Sequence, residues 1–143
     1  GNDAADFSGS YSQINRLKAK NIGDKIISAG ERSKIQLQES ELGYAGVGVA
    51  SKDSSFVDIV NTKFNSIDVC LAAFNKKSEY LGGEIRVNFL PLDCKESYLS
   101  EPGSKIFKKS KLLPANTKKV VSLLYGSKYG KATEKWLGMK KNL

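Results

Sequence analysis

The sequence predicts an all-β fold: a right-handed parallel β-helix, a solenoid of four to five coils with a short C-terminal α-helical cap or tail. Two observations carry this prediction. Apolar residues recur every 22 residues, and within each unit they alternate as strands with one buried face do. Ile27, Val49 and Leu71 are spaced by 22, and so are Lys25, Val47 and Val69. Leu42 repeats as Phe64, Ile35 as Val57, Leu37 as Ile59, Ser33 as Ser55 and Ser40 as Thr62. A fixed period of this length, built from short alternating strands and turns, marks a solenoid whose apolar columns stack coil on coil. An antiparallel β-sandwich also spaces its strands regularly, but it does not explain why whole units align. A leucine-rich repeat needs several Leu and an Asn at set offsets, whereas these units are rich in β-branched residues.

The coils follow in order. Coil one runs from Gly1 to about Gly23, coil two from Asp24 to Tyr44, coil three from Ala45 to Ser66, and coil four starts near Ile67. In coil one, Ala5 and Phe7 occupy the columns of Ile27 and Ala29. Gln13 and Asn15 then fall where Ile35 and Leu37 belong, with Ile14 one place off, so this coil is expected to be frayed or slipped. In coil four the strand Ile35–Leu37, repeated as Val57–Ile59, returns as Ile85–Val87 after a step of 28. The extra residues lie between Phe74 and Gly83, in NKKSEYLGG. Leu99 and Ile106 suggest a fifth coil in poor register, with Leu99 set 28 residues after Leu71.

The stretches GNDAADFSGS (Gly1–Ser10), GDKIISAGERSKI (Gly23–Ile35), VGVASKDSSFVDIVNTKF (Val47–Phe64) and VCLAAFNKKSEYLGGEI (Val69–Ile85) resemble the right-handed parallel β-helix repeat proteins of bacteria. They look like the consecutive coils near the C-terminus of such proteins, over roughly Gly1 to Cys94. Where relatives often have Gly and Ile in the first motif, this chain has Ala4 and Ala5; Ala5 is still expected to point inward. The resemblance is specific for fold and weak for activity. The fold's members include polysaccharide lyases, uronate epimerases, phage tailspikes and non-catalytic surface proteins. The chain enters a coil directly. That leads to the expectation of a larger solenoid of which this is the C-terminal part, or of an open N-terminal coil covered by self-association or a preceding domain.

Charge divides the chain near Pro102-Gly103. Lys105 to Leu143 carries eleven lysines and one carboxylate, Glu134, for a net +10, while the residues before it sum to −2. The expected organisation is therefore coils over 1–104 and a basic cap or tail over 105–143. After Pro114, Asn116 or Thr117 is a candidate N-cap. Val120, Val121 and Leu124 share a helical face. Val120, Leu124, Trp136 and Leu137 are expected to cover the last coil. The lysines, interleaved with Tyr125, Tyr129 and Trp136, offer a surface for acidic polysaccharide or another polyanion.

The chain contains no His and no CxxC, so no metal site and no cofactor are expected. The alternation that turns Val69 and Leu71 inward turns Cys70 outward. Cys94 lies about one coil later. A disulfide between neighbouring coils is geometrically possible, but two free thiols are the expectation. No apolar run is long enough to span a membrane. Localisation is left open, with secretion or surface display compatible.

Two features are candidate sites. The insertion supplies Asn75, Lys76, Lys77, Glu79 and Tyr80, which offer donors, charge and an aromatic platform on a loop that bulges from the solenoid wall. The 22-residue register also aligns Glu31, Asp53 and Asn75, with Arg32, Ser54 and Lys76 beside them. Two carboxylates one coil apart suit acid–base work on a sugar or cation binding, but polar residues at solvent-facing turns are the stronger reading of this column. Three functions follow: a non-catalytic module for surface or glycan binding, a polysaccharide lyase, hydrolase or epimerase recruiting Lys76, Lys77 or Tyr80, or a structural end-piece. The enzymes among the resembling proteins have seven or more coils and long cleft-forming loops. This chain has one modest loop and no nucleophile motif, so the non-catalytic module is the reading taken forward.

Overall fold

The computed structural model describes residues 3–125. It is a parallel β-solenoid of about five coils with one short helix near the C-terminus. Two strand systems alternate along the chain. The first contains β1 (Ala5–Ser8), β3 (Lys18–Gly30), β5 (Glu41–Lys52), β7 (Lys63–Phe74) and β9 (Cys94–Ser100), stacked in that order. The second contains β2 (Tyr11–Asn15), β4 (Lys34–Gln38), β6 (Phe56–Val60), β8 (Glu84–Val87), β10 (Lys105–Lys108) and β11 (Lys111–Leu112). Every pairing between coils is parallel. The antiparallel β10–β11 hairpin ends the second sheet and occupies what would otherwise be a bare strand edge.

The predicted columns are the observed register. Ile27 lies opposite Val49 and Val49 opposite Leu71; Ile35 pairs with Val57 and Val57 with Ile85. These side chains are buried between the two sheets, together with Leu37, Leu42, Ala45, Ile59, Ile67, Val87 and Ile106. Coil one is slipped by one residue, as expected. Ala5 pairs with Ile27, but Ile14 pairs with Leu37, so the inward column is recovered. A bulge between Ile22 and Lys25 returns the next coil to the 22-residue step. The fifth coil needs one correction. Tyr98, not Leu99, lies opposite Leu71, and Leu99 pairs with Ala72.

The corners explain the polar half of the repeat. Arg16, Glu39 and Asn61 all have φ near +50° (58, 49 and 47°), and so do Asn21, Tyr44 and Ser66 (58, 51 and 50°). Glu31-Arg32 and Asp53-Ser54 turn the third corner with two positive-φ residues each. The left-handed region reverses the chain tightly at each corner. The Ser33/Ser55 repeat is a ladder of hydroxyls: Ser10 N donates to Ser33 Oγ and Ser33 N to Ser55 Oγ, both at 3.1 Å. At the next corner Leu17 N donates to Ser40 Oγ at 3.0 Å. Backbone groups that the corner removes from the sheet thus find partners in the adjacent coil.

Cys70 departs from expectation. The long strands bend at this point, and two consecutive side chains, Cys70 and Leu71, enter the interior, as Ile26 and Ile27 do two coils earlier. Val47 and Val69 face the other way. Simple alternation, which put Val69 inside and Cys70 outside, fails where a strand turns a corner. The space beside Cys70 depends on Gly48: a Cβ there would sit 2.7 Å from the Cys70 carbonyl oxygen and 2.9 Å from the Phe64 ring. Cys70 and Cys94 form a disulfide, with Cα atoms 5.9 Å apart, so the expected free thiols are not found.

The outward face of the first sheet is apolar along Val47, Ala50, Val69, Ala72 and Phe74, and α1 (Val120–Leu124) covers it through Val120 and Leu124. The helix therefore lies against the side wall of the coils instead of across their end. The expected N-cap also differs. Lys119 holds the N-cap position, while Asn116 pins the chain to β9: its Oδ1 accepts from Ser100 N and its Nδ2 donates to Tyr98 O. Lys105–Leu112, which charge groups with the tail, is still paired into the second sheet. Trp136 and Leu137 lie outside the described residues.

Candidate functional site

Asp53 organises the insertion. It stands at the corner between β5 and β6 and is fully buried, at 0% exposure. Its Oδ1 accepts from Lys76 N at 2.7 Å, Lys77 N at 2.8 Å and Asn75 Nδ2 at 3.2 Å. Its Oδ2 is enclosed and finds no partner among the described residues. A carboxylate accepting two backbone N–H groups fixes the local chain path much as an N-cap does. Asn75 Nδ2 also lies within hydrogen-bonding distance of Lys77 O, Tyr80 O and Leu81 O, at 2.9 to 3.0 Å. Two protons facing four oxygens make these shared bonds, which gather the loop around one amide. Ser54 and Leu81 exchange hydrogen bonds, and Gly83 N donates to Phe74 O, closing the loop at its base. A Cβ on Gly83 would overlap the Ser51 carbonyl, so only glycine brings the chain back into its column.

The stacked corners bring Glu31, Asp53 and Asn75 together, as their 22-residue spacing predicts: Arg32 N, next to Glu31, donates to Asp53 O, and Asn75 Nδ2 donates to Asp53 Oδ1. Lys77 Nζ reaches across to Glu31 Oε1 at 2.7 Å. Arg32 lies over the Tyr80 ring, 5.2 Å from its centroid. Of the seven predicted residues, Glu79 alone stands apart, exposed and outside these bonds. The hydrogen bond from Lys77 holds the Glu31 carboxyl below the ordinary glutamate range, and the same bond raises Lys77. The sign follows from the lowered pKa. The contact is intact above the unfolded-state glutamate pKa and is lost as pH falls through the lower folded one. Acidification should therefore release the Lys77–Glu31 contact without unfolding the coils, because the pair is exposed and contributes little. Proton–carbon NMR of the Lys77 side chain against pH checks this, with Glu31→Gln removing the transition.

A second cluster lies beneath Tyr125. Lys25 Nζ sits 4.5 Å and Lys76 Nζ 4.4 Å from its ring centroid, and Tyr125 meets Phe74 edge-on at 6.3 Å. Burial acts to lower the Lys25 pKa, but Tyr125, Asp24 and Asp3 outweigh it and raise the group above its ordinary value. Lys52 is pushed down, by burial first and then by Lys25 and Lys76. Burial raises Tyr125.

Sequence reasoning missed two groups. Glu101 joins the insertion to the C-terminal segment, accepting from Asn75 N at 3.3 Å and from the α1 residue Val120 N at 2.9 Å. It has no counterpart in the 22-residue register, so no periodic signal marks it. The other group is on the outward face of the second sheet, where Tyr11, Lys34 and Phe56 are register partners. They border a groove of about 480 Å³ that Gln13, Gln36 and Asp58 also line. The alternation that predicted the inward columns also predicts these outward ones. Among the described residues there is no cluster of three or more His, Cys, Asp or Glu able to hold a metal ion, and no helix long and apolar enough to cross a membrane. No family model matches the chain, and no match was found among curated proteins or solved structures.

Proposed function

We propose that the chain is a non-catalytic β-solenoid module that holds an acidic polymer, such as a uronate-containing polysaccharide, at a surface. The observation that carries this reading is the engagement of the candidate acid–base pair. Asp53 is enclosed and bonded to three loop donors, and Glu31 is bound by Lys77, so both carboxylates serve the loop's own shape. General acid–base catalysis needs a group within reach of the substrate proton, and Asp53 offers no such access. The binding half of the reading rests on charge. Lys105, Lys108, Lys109, Lys111, Lys118 and Lys119 are all exposed, and no carboxylate lies between Lys105 and Tyr125. Such a lysine-rich stretch attracts polyanions, offset at Lys105 by its register partner Glu84.

The disulfide supports an oxidising setting, secreted or at a cell surface. The coils support the kind of module seen in bacterial parallel β-helix repeat proteins, and β1 and β2, as edge strands, are where a further protein unit would stack. The test is a titration of polygalacturonate at two salt concentrations. Binding by lysines should weaken strongly from 0.1 M to 1 M salt, as the Debye length falls from about 10 Å to about 3 Å. Replacing Lys105, Lys108 and Lys111 together by Gln should weaken low-salt binding. Equal affinity in the triple variant would remove this surface from the reading.

A further inference from the structure

The outward face of the second sheet carries rings and cations that neither core packing nor the insertion uses. Down one outward column run Tyr11, Lys34, Phe56, Glu84 and Lys105, and down the next run Gln13, Gln36, Asp58, Arg86 and Phe107. Lys34 and Arg86 each lie over a neighbouring ring. Lys34 Nζ is 5.4 Å from the Tyr11 centroid, and Arg86 Cζ is 5.7 Å from Phe56 and 5.1 Å from Phe107. Tyr11 is 78% exposed. We propose that this face is a glycan-binding track, on which an extended linear polysaccharide lies along the solenoid axis with sugar rings stacked on Tyr11, Phe56 and Phe107.

Three observations select that occupant. The first is spacing. Coils stack about 4.8 Å apart, so Tyr11 and Phe56, two coils apart in one column, lie about 10 Å apart along the axis, close to the repeat of alternate sugars in a ribbon-like β-1,4-linked chain, and Phe107 follows two coils further on in the neighbouring column. The second is stacking chemistry. The C–H face of a pyranose carries a small positive charge and lies well on the negative face of an aromatic ring. The third is the groove lining. Gln13, Gln36 and Asp58 beside the rings offer amide donors and carbonyl and carboxylate acceptors, which suit hydroxyl groups. A polyphosphate would meet Asp58 and Glu84 on the same face, and these repel it. Arg86 Nε is paired with Glu84 Oε2 at 3.5 Å, which leaves Lys34 to meet a sugar carboxylate, so the track takes neutral chains and chains of sparse uronate charge. This inference takes the ligand class from the preceding reading but places it at a separate site.

The test uses the full chain with two probes, a β-1,4-linked glucose hexasaccharide and a β-1,4-linked uronate hexasaccharide, each titrated calorimetrically at low and high salt. Binding of at least one that persists at high salt is expected. Tyr11→Ala and Phe56→Ala should each weaken it at least fivefold, and Tyr11→Trp should restore it and report binding through its fluorescence. Tyr11→Ala should leave thermal melting unchanged, which separates a lost contact from a lost fold. Absence of binding to both sugars, wild-type affinity in Tyr11→Ala and Phe56→Ala, or tighter binding of oligo-thymidylate than of either sugar would overturn the proposal. Failure of the lysine surface removes only salt-sensitive binding, whereas failure of the track removes the salt-resistant part.

Discussion

Val49→Asp abolishes folding of the domain. Val49 is fully buried and stands in the inward column between Ile27 and Leu71. A carboxylate there meets only apolar neighbours, and an unpaired buried charge costs several kcal/mol. That is comparable with the whole stability of a domain this size, about 5–15 kcal/mol. Gln36→Asp places the same group on the outward side of β4, opposite Asp58, and should stay folded at a cost of about 1 kcal/mol or less. Circular dichroism and gel filtration of the two variants give the comparison. A soluble, equally stable Val49→Asp variant would refute the inward register.

Removing the Cys70–Cys94 disulfide has the next largest effect. The bond closes a loop between residues 24 apart in sequence and joins the fourth coil to the fifth. The chain-entropy relation for a loop of this length gives about 3 kcal/mol, and Cys70 also fills interior space beside Gly48. The paired variant Cys70→Ala/Cys94→Ala should melt roughly 10 °C lower, taking about 3 °C per kcal/mol for a domain of this length. The oxidised parent should show no thiol reactive toward a disulfide reagent after denaturation. A melting point unchanged by the double substitution would mean that the solenoid holds its fifth coil without this tie.

The parts of the fold that repeat were legible in the sequence. The columns through Val49 and Val57, the slipped first coil and the position of the insertion all follow from the 22-residue step and strand alternation. What failed to show was whatever breaks the period. Alternation assumes a straight strand, so it misdirected Cys70 and Val69 at a bend where two consecutive residues enter the interior. Helical spacing found α1, but no local signal states which surface a short helix will cover. The apolar outward wall at Val47, Ala50 and Phe74 settles that.

The candidate site divides in the same way. Register brought Glu31, Asp53 and Asn75 together correctly, because stacked corners keep their column. It could not say that Asp53 would turn inward and accept from the insertion's backbone, since that depends on how extra residues fold over a corner. Glu101 was invisible for a related reason: it acts through the insertion and the C-terminal segment, the two pieces without a periodic counterpart. The Tyr11, Lys34 and Phe56 column was open to the same reading as the core, on the side that faces solvent, with Arg86 and Phe107 in the column beside it.

A module that holds acidic polymer without turning it over is told from a lyase by one measurement. Polygalacturonate is incubated with the protein at low salt while bound polymer and unsaturated product are followed together, the first by co-sedimentation and the second by ultraviolet absorbance. Bound polymer of undiminished length and no unsaturated product are expected. Release of unsaturated sugar that disappears in Lys76→Ala or Tyr80→Phe would contradict the non-catalytic reading and make the insertion a lyase site.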